Sequence, residues 1–120
     1  MTRQQKWAKE AYARVSARVV TPDVRDYRTL CMKMPVLIMQ SGLVQAVAFM
    51  RSRSNLGRDF TDDLASVCGI TGATPGRALM ERVQGVDELT AYLALTRDVL
   101  DASTWLRRFA QSELPAGGES

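Results

Sequence analysis

"MKMPVLIMQSGLVQAVAFM", residues 32–50, is the stretch that decides the fold. Leu37, Ile38, Leu43, Val44, Val47, Ala48 and Phe49 recur at helical spacing. Yet Pro35 and Gly42 lie inside the run. A proline in a helix interior removes one hydrogen bond and clashes with the carbonyl four residues back, here that of Cys31, at a cost of about 3 kcal/mol. A glycine adds roughly 1 kcal/mol. Together they reach ~4 kcal/mol, a large share of an ordinary stability of ~5–15 kcal/mol. Burial at about 1.5–3 kcal/mol per large apolar side chain offsets this only if the segment sits in the core. The reading is therefore a central core helix that breaks or kinks near Pro35, with a close backbone approach at Gly42.

Outward from that segment, the pattern is helical on both sides. Over residues 2–20, Trp7, Ala8, Ala11, Tyr12, Val15 and Val19 share one face, and Lys6, Lys9, Arg14 and Arg18 the other. "TPDV" (21–24) restarts the chain with Thr21 as N-cap and Pro22 at N1. A second helix follows, with Tyr27, Leu30, Cys31 and Met34 on one face, and a third ends near Arg53. "RSRSNLGRDFTDD" (51–63) reads as a polar loop, residues 61–68 as a short helix, and 75–84 as another, with Thr74 as its N-cap. A last helix is expected over 87–114, burying Leu89, Tyr92, Leu93, Thr96, Val99, Leu100, Leu106, Phe109 and Ala110, with room for a bend at 101–103. There is no alternating strand pattern, hairpin dipeptide or internal repeat. The expectation is an all-α compact bundle of five or six helices, with a proline-kinked central helix and a long C-terminal helix. One domain would span 1–114, and "PAGGES" (115–120) would be a flexible tail.

The totals narrow the function. The 120 residues suffice for one core. No apolar run approaches the ~18 residues of a membrane span. The first ten residues have no apolar signal-peptide region, so a cytoplasmic protein is expected. Cys31 and Cys68 have no CxxC spacing and read as reduced, buried thiols. The chain has no histidine, which removes the commonest general base and metal ligand, and disfavours an enzyme. "GITGATPG" (69–76) has neither a preceding strand nor the Lys-Ser/Thr of a phosphate loop. Asp59, Asp62 and Asp63 lack the calcium-loop spacing and read as a solvated helix start. Met32, Met34, Met39 and Met50 read as core filler. No catalytic residue, metal, cofactor or small-molecule substrate is implied.

Charge is the better lead. Residues 1–58 hold eleven Lys/Arg against three Asp/Glu, a net +8, and residues 59–120 hold five against ten, a net −5. Such a split suits a polyanion on one side and a basic protein surface on the other, or is simply a solvated surface. Arg51, Arg53 and Arg58 cluster after the third helix. Arg107 and Arg108 lie between Trp105 and Phe109, where the dipole of a helix C-terminus also favours arginine.

With those residues in view, the chain resembles the small-subunit family of the type III-B CRISPR effector, the Cmr complex, over most of its length. That family shows a Trp near the start of helix one, as Trp7 does. It shows an aromatic, a basic residue and Pro, as in "YRTLCMKMP" (Tyr27, Lys33, Pro35). It shows Asn-Gly-Leu-x-Gln with a downstream Phe, as in "SGLVQAVAF" (Gly42, Leu43, Gln45, Phe49). It ends on Trp-Leu-Lys-Arg-Phe, as in "WLRRF" (Trp105, Leu106, Arg107, Arg108, Phe109). Ser41 replaces the usual Asn, Met34 the usual Leu, and Arg107 a common Lys.

The resemblance implies a non-catalytic subunit of an RNA-guided, RNA-targeting complex in antiviral defence. It implies stacked copies, other Cmr subunits as partners, and a basic face along the guide and target RNA. Phosphate contacts would come from Lys6, Arg14, Arg18, Arg28, Lys33, Arg51, Arg53, Arg58, Arg107 and Arg108, with base pairing left to choose sequence. Three rivals stand beside it. A DNA-binding regulator is disfavoured by the apolar residues after Gly42, where a recognition helix is polar. A carboxylate enzyme would need paired acids in a pocket. A helical adaptor would use the basic half on acidic protein.

Overall fold

Pro35 does not end its helix. The computed structural model, which describes residues 1–116, carries one helix, α2 (Val24–Ser41), straight through it. The chain breaks instead at Gly42, which closes the end of α2 and opens α3 (Leu43–Arg53). The Gly42 N–H donates to the Ile38 carbonyl at 2.9 Å, and its own carbonyl accepts from Ala46 N–H at 3.0 Å. Its φ of +86° and ψ of 163° lie in a region that is essentially restricted to glycine. No Cβ clash enforces the glycine, since open space surrounds that position. Gly42 thus serves backbone conformation, and the close approach expected there is absent. Pro35 is tolerated because it is buried with Tyr27, Leu30, Cys31, Met34 and Ile38, where packing outweighs one missing bond.

The remaining helices are α1 (Arg3–Ser16), α4 (Asn55–Val67), α5 (Pro75–Gly85) and α6 (Leu89–Glu113). Six helices and, among the described residues, no strand make the all-α bundle that the periodicity predicts. α1 begins with a full capping box between Thr2 and Gln5 and stops four residues earlier than expected. α2 starts at Val24, not after Thr21, whose hydroxyl instead donates to the Arg18 carbonyl at 2.8 Å. α6 runs 25 residues without interruption, about 38 Å at 1.5 Å per residue, close to the molecule's 40 Å longest extent. The tail expected over 115–120 lies, from 117 onward, outside the described residues.

The polar loop expected at 51–63 is the end of α3, a one-residue break at Ser54 and the first part of α4. Ser54 caps α4, accepting from Gly57 N–H at 2.9 Å, and Leu56, Phe60, Leu64 and Val67 turn inward at helical spacing. Gly57 is where the true close approach occurs. A Cβ there would lie far inside contact distance of the Met50 carbonyl oxygen on α3. The stretch reads as polar because Arg, Ser, Asn and Asp fill most of it, and the residue that lets α4 pack against α3 has no side chain.

One core gathers Trp7, Ala11 and Val15 of α1, Tyr27 and Met34 of α2, Leu43, Val47 and Met50 of α3, Phe60 and Leu64 of α4, and Leu79, Val99 and Leu106 beyond. Several residues expected inside are not. Met39 is 75% exposed and Leu89 71%, and Tyr12, Val19, Val44, Phe49 and Leu93 are exposed as well. Met32 is half-buried.

Candidate nucleic-acid interface

The packing of α1 sorts the basic residues. Its Arg14 and Arg18, just past its end, turn toward α4, where Asp63 is 5% exposed. Asp63 accepts from the Tyr27 hydroxyl at 2.6 Å and from Arg18 at 3.2 Å, with Arg14 at 3.8 Å. Asp63 is therefore the buried node that ties α1, α2 and α4 together, not part of a solvated helix start. Burial pushes its carboxyl up, against the downward pull of the Tyr27 hydrogen bond and the Arg18 charge. Burial pulls the Arg18 guanidinium down, but the charge of Asp63 and its other acidic neighbours outweighs it and the net direction is up. Arg14 is raised chiefly by its 2.7 Å bond to Glu10.

The split between basic and acidic halves is thus partly cancelled by tertiary pairing. Arg3 repeats the pattern, reaching Asp98 at 3.2 Å and Asp101 at 3.7 Å on α6. At the α3–α4 corner, Arg51 donates to Thr61 Oγ1 at 2.9 Å, and Arg58 donates to the Arg51 carbonyl at 3.1 Å and to Asn55. Arg53 lies 5.5 Å over the Phe49 ring and lines a cleft of about 400 Å³ that also holds Asp23 and Asp26. A neighbouring acid pair of that kind repels phosphate.

The glycine-rich loop is closed to anions by its own chain. The N-terminus of α5 is capped not by Thr74, which makes no side-chain cap bond, but by Asp62 Oδ1, which accepts from Gly76 N–H at 2.8 Å. A Cβ at Gly76 would sit 2.5 Å from Thr61 Oγ1 and 2.6 Å from Arg51, so the glycine is required for that approach. Among the described residues no group of three His, Cys, Asp or Glu is placed to hold a metal.

Arg107 and Arg108 differ from Arg3, Arg14 and Arg18. No ion pair engages them among the described residues. They are also not in the last turn of α6, which holds no basic residue, so the helix dipole does not account for them. Beside them lies an aromatic row, in which Trp105 and Phe109 are neighbours by i, i+4 spacing and Tyr12 is joined only by the packing of α1. Trp105 stacks on Phe109 at 5.9 Å, and Tyr12 of α1, 47% exposed, meets Phe109 edge-on at 5.3 Å. The Trp105 indole N–H donates to Gln4 Oε1 at 2.7 Å, and the Arg108 guanidinium lies 5.9 Å from the indole centroid. Tyr12 and Gln4 are the residues that the sequence reading missed. Their only signal is that helix one places Gln4, Ala8 and Tyr12 on one flank of its apolar stripe.

Lys6 is exposed, and Arg28 and Lys33 are half-buried, all three without an ion pair among the described residues. The Arg28 Nε is buried without a hydrogen-bond partner. Of the motif residues, Trp7, Tyr27, Pro35, Leu43 and Leu106 are buried, Gly42, Trp105 and Phe109 half-buried, and Gln45 and Phe49 exposed.

A family model described as CRISPR-associated protein (Cas_Cmr5) matches residues 3–113. This chain belongs to that family. The resemblance carried by the motifs and the match over nearly the whole chain agree. The CRISPR system Cmr subunit Cmr5 of Thermus thermophilus is 41% identical over 112 residues, covering 92% of this chain and 95% of that one. The crystal structure of a CRISPR-associated Cmr5 family protein from the same organism superposes with a TM-score of 0.88 at 40% identity, covering 96% of this chain and all of that one. The likeness confirms the all-α bundle and its long last helix. No helix among the described residues is long and apolar enough to cross a membrane.

Proposed function

We propose that this Cmr5-family chain is a non-catalytic subunit of a Cmr complex in CRISPR defence, one domain over residues 1–114, acting in the cytoplasm beside guide and target RNA. The observation that carries the RNA reading is the face of α6 on which Arg107 and Arg108 stand without acidic partners next to Trp105, Phe109 and Tyr12. Cations on a rigid helix contact phosphates with no base preference, and sequence choice is left to pairing between RNAs. Lys6, Arg28 and Lys33 extend the set of cations without an acidic partner. Arg14, Arg18, Arg51 and Arg58 primarily hold the fold.

Contacts to neighbouring subunits and to further copies would use apolar side chains left outside the core. Met39 on α2 and Leu89 and Leu93 on α6 are exposed. Stacked copies would array the free arginines along one path, so that weak single contacts add.

The test is fluorescence anisotropy of labelled single-stranded RNA against salt, with duplex DNA as competitor. If one copy neutralises about four phosphates, the log–log slope is about −2.8 and affinity falls about 50-fold between roughly 50 and 200 mM salt. Reversing Arg107 and Arg108 to Glu should flatten that slope by about 0.7 for each lost phosphate contact. Reversing Arg14 should instead lower stability. Equal effects on RNA binding from both would sink the assignment, as would tight binding by an isolated copy at physiological salt.

A further inference from the structure

We infer that the depressions beside Trp105 hold an unpaired base of single-stranded RNA, with the indole as the stacking surface and Arg107 and Arg108 on the adjoining phosphates. This rests on the RNA reading above and adds a base contact to it. Two hollows of about 270 and 260 Å³ lie along one stripe of α6. The first is lined by Gln4, Asp101, Thr104, Trp105 and Arg108. The second shares Thr104 and Arg108 and adds Arg107 and Gln111. They share two residues and so adjoin along the helix.

Three features make the indole a stacking surface rather than a core side chain. Its plane is held by the 2.7 Å bond to Gln4 and by Phe109 stacked at 21°, and Phe109 is itself held by Tyr12. Its N–H is already engaged, so a ligand would meet the ring through its π-face, beside Phe109 and Arg108. It stays half-exposed at the wall of the hollow. A flat aromatic of fixed orientation beside free arginines is how single strands are held without sequence readout. A protein hot spot would seat an apolar anchor in an apolar pocket. Apart from the indole, these walls carry an amide, a hydroxyl and guanidinium groups, which suit base edges and phosphates, and a carboxylate, Asp101, that Arg3 pairs at 3.7 Å.

The test compares two RNAs of equal length and charge, oligoadenosine and an abasic ribose-phosphate strand, binding the full chain at about 50 mM salt. Oligoadenosine should bind about 5- to 140-fold tighter, which is the stacking of one base converted to affinity, and should quench Trp emission. Trp105→Leu should bring oligoadenosine down to the abasic affinity with an unchanged salt slope, and Trp105→Phe should keep part of the difference. Equal affinity of both RNAs for the native protein overturns the base site and leaves the phosphate reading standing. Binding of neither RNA overturns both and assigns the face to protein contact. The native comparison decides even if Trp105→Leu does not fold.

Discussion

Replacing Gly42 by alanine separates backbone strain from packing. An added Cβ meets nothing within 4 Å, so the cost is conformational alone. At φ +86° and ψ 163°, a non-glycine residue pays about 1–3 kcal/mol. Alanine also restricts the unfolded chain, which returns about 0.4–1 kcal/mol. The net loss is up to roughly 2.6 kcal/mol. With an unfolding entropy of about 2.1 cal/mol/K per residue, the 120-residue chain loses ~0.25 kcal/mol per kelvin, so Tm should drop by up to about 10 °C. Gly85 is the matched control. It too has open space around its Cβ position, but it lies in α5 without a positive φ. Gly85→Ala should gain the same ~0.4–1 kcal/mol without the conformational cost that Gly42→Ala carries. Thermal and urea unfolding followed by helical circular dichroism measure both. Shifts of the same sign for the two variants would refute the assignment of the α2–α3 break to backbone conformation.

Gly57→Ala should cost more than Gly42→Ala, at least the ~1–3 kcal/mol of overpacking, because its Cβ meets the Met50 carbonyl and α3 must move; the urea midpoint reports it. Tyr27→Phe removes a 2.6 Å bond to a buried carboxylate and should lose about 1.5–3 kcal/mol, with the Asp63 carboxyl rising further by NMR titration. Alkaline pH should unfold the protein. Burial raises Tyr27 well above its ordinary 10 and Cys31 far above its ordinary 9, and pushes Cys68 up to about 12. Above pH ~9 the unfolded chain sheds protons that the folded chain keeps, so stability falls as pH rises through that window, by up to about 1.4 kcal/mol per pH unit per group. Urea midpoints at about pH 8, 9.5 and 11 should decline, and less steeply in Tyr27→Phe; a flat series would contradict the burial of these groups.

Some of this was legible along the chain. Helical periodicity specified an all-α bundle because burial of an amphipathic stripe follows spacing. Pro35 and Gly42 were legible as exceptions, but the break falls at Gly42 and the close approach at Gly57. A proline in a well-buried helix is held by its neighbours, while a glycine with positive φ ends a helix wherever packing allows the turn. The first half of α4 read as loop because Gly57, its packing point, carries no hydrophobic signal, while the helix expected over 61–68 is its second half. Asp63 read as solvent-facing because its partners are Arg18 and Tyr27, 45 and 36 residues away.

The sequence by itself determined the helical content, the family motifs and the identity of every charged group, since these depend on residue type and local spacing. Only the tertiary structure decided which charges remain available. Packing α1 between α4 and α6 commits Arg14 and Arg18 to Asp63, and Arg3 to Asp98 and Asp101. The same packing carries Gln4 and Tyr12 to Trp105 and Phe109, about a hundred residues away, and leaves Arg107 and Arg108 outside any ion pair among the described residues. Coulomb attraction and stacking act over a few ångströms of space, and distance along the chain carries no record of that space.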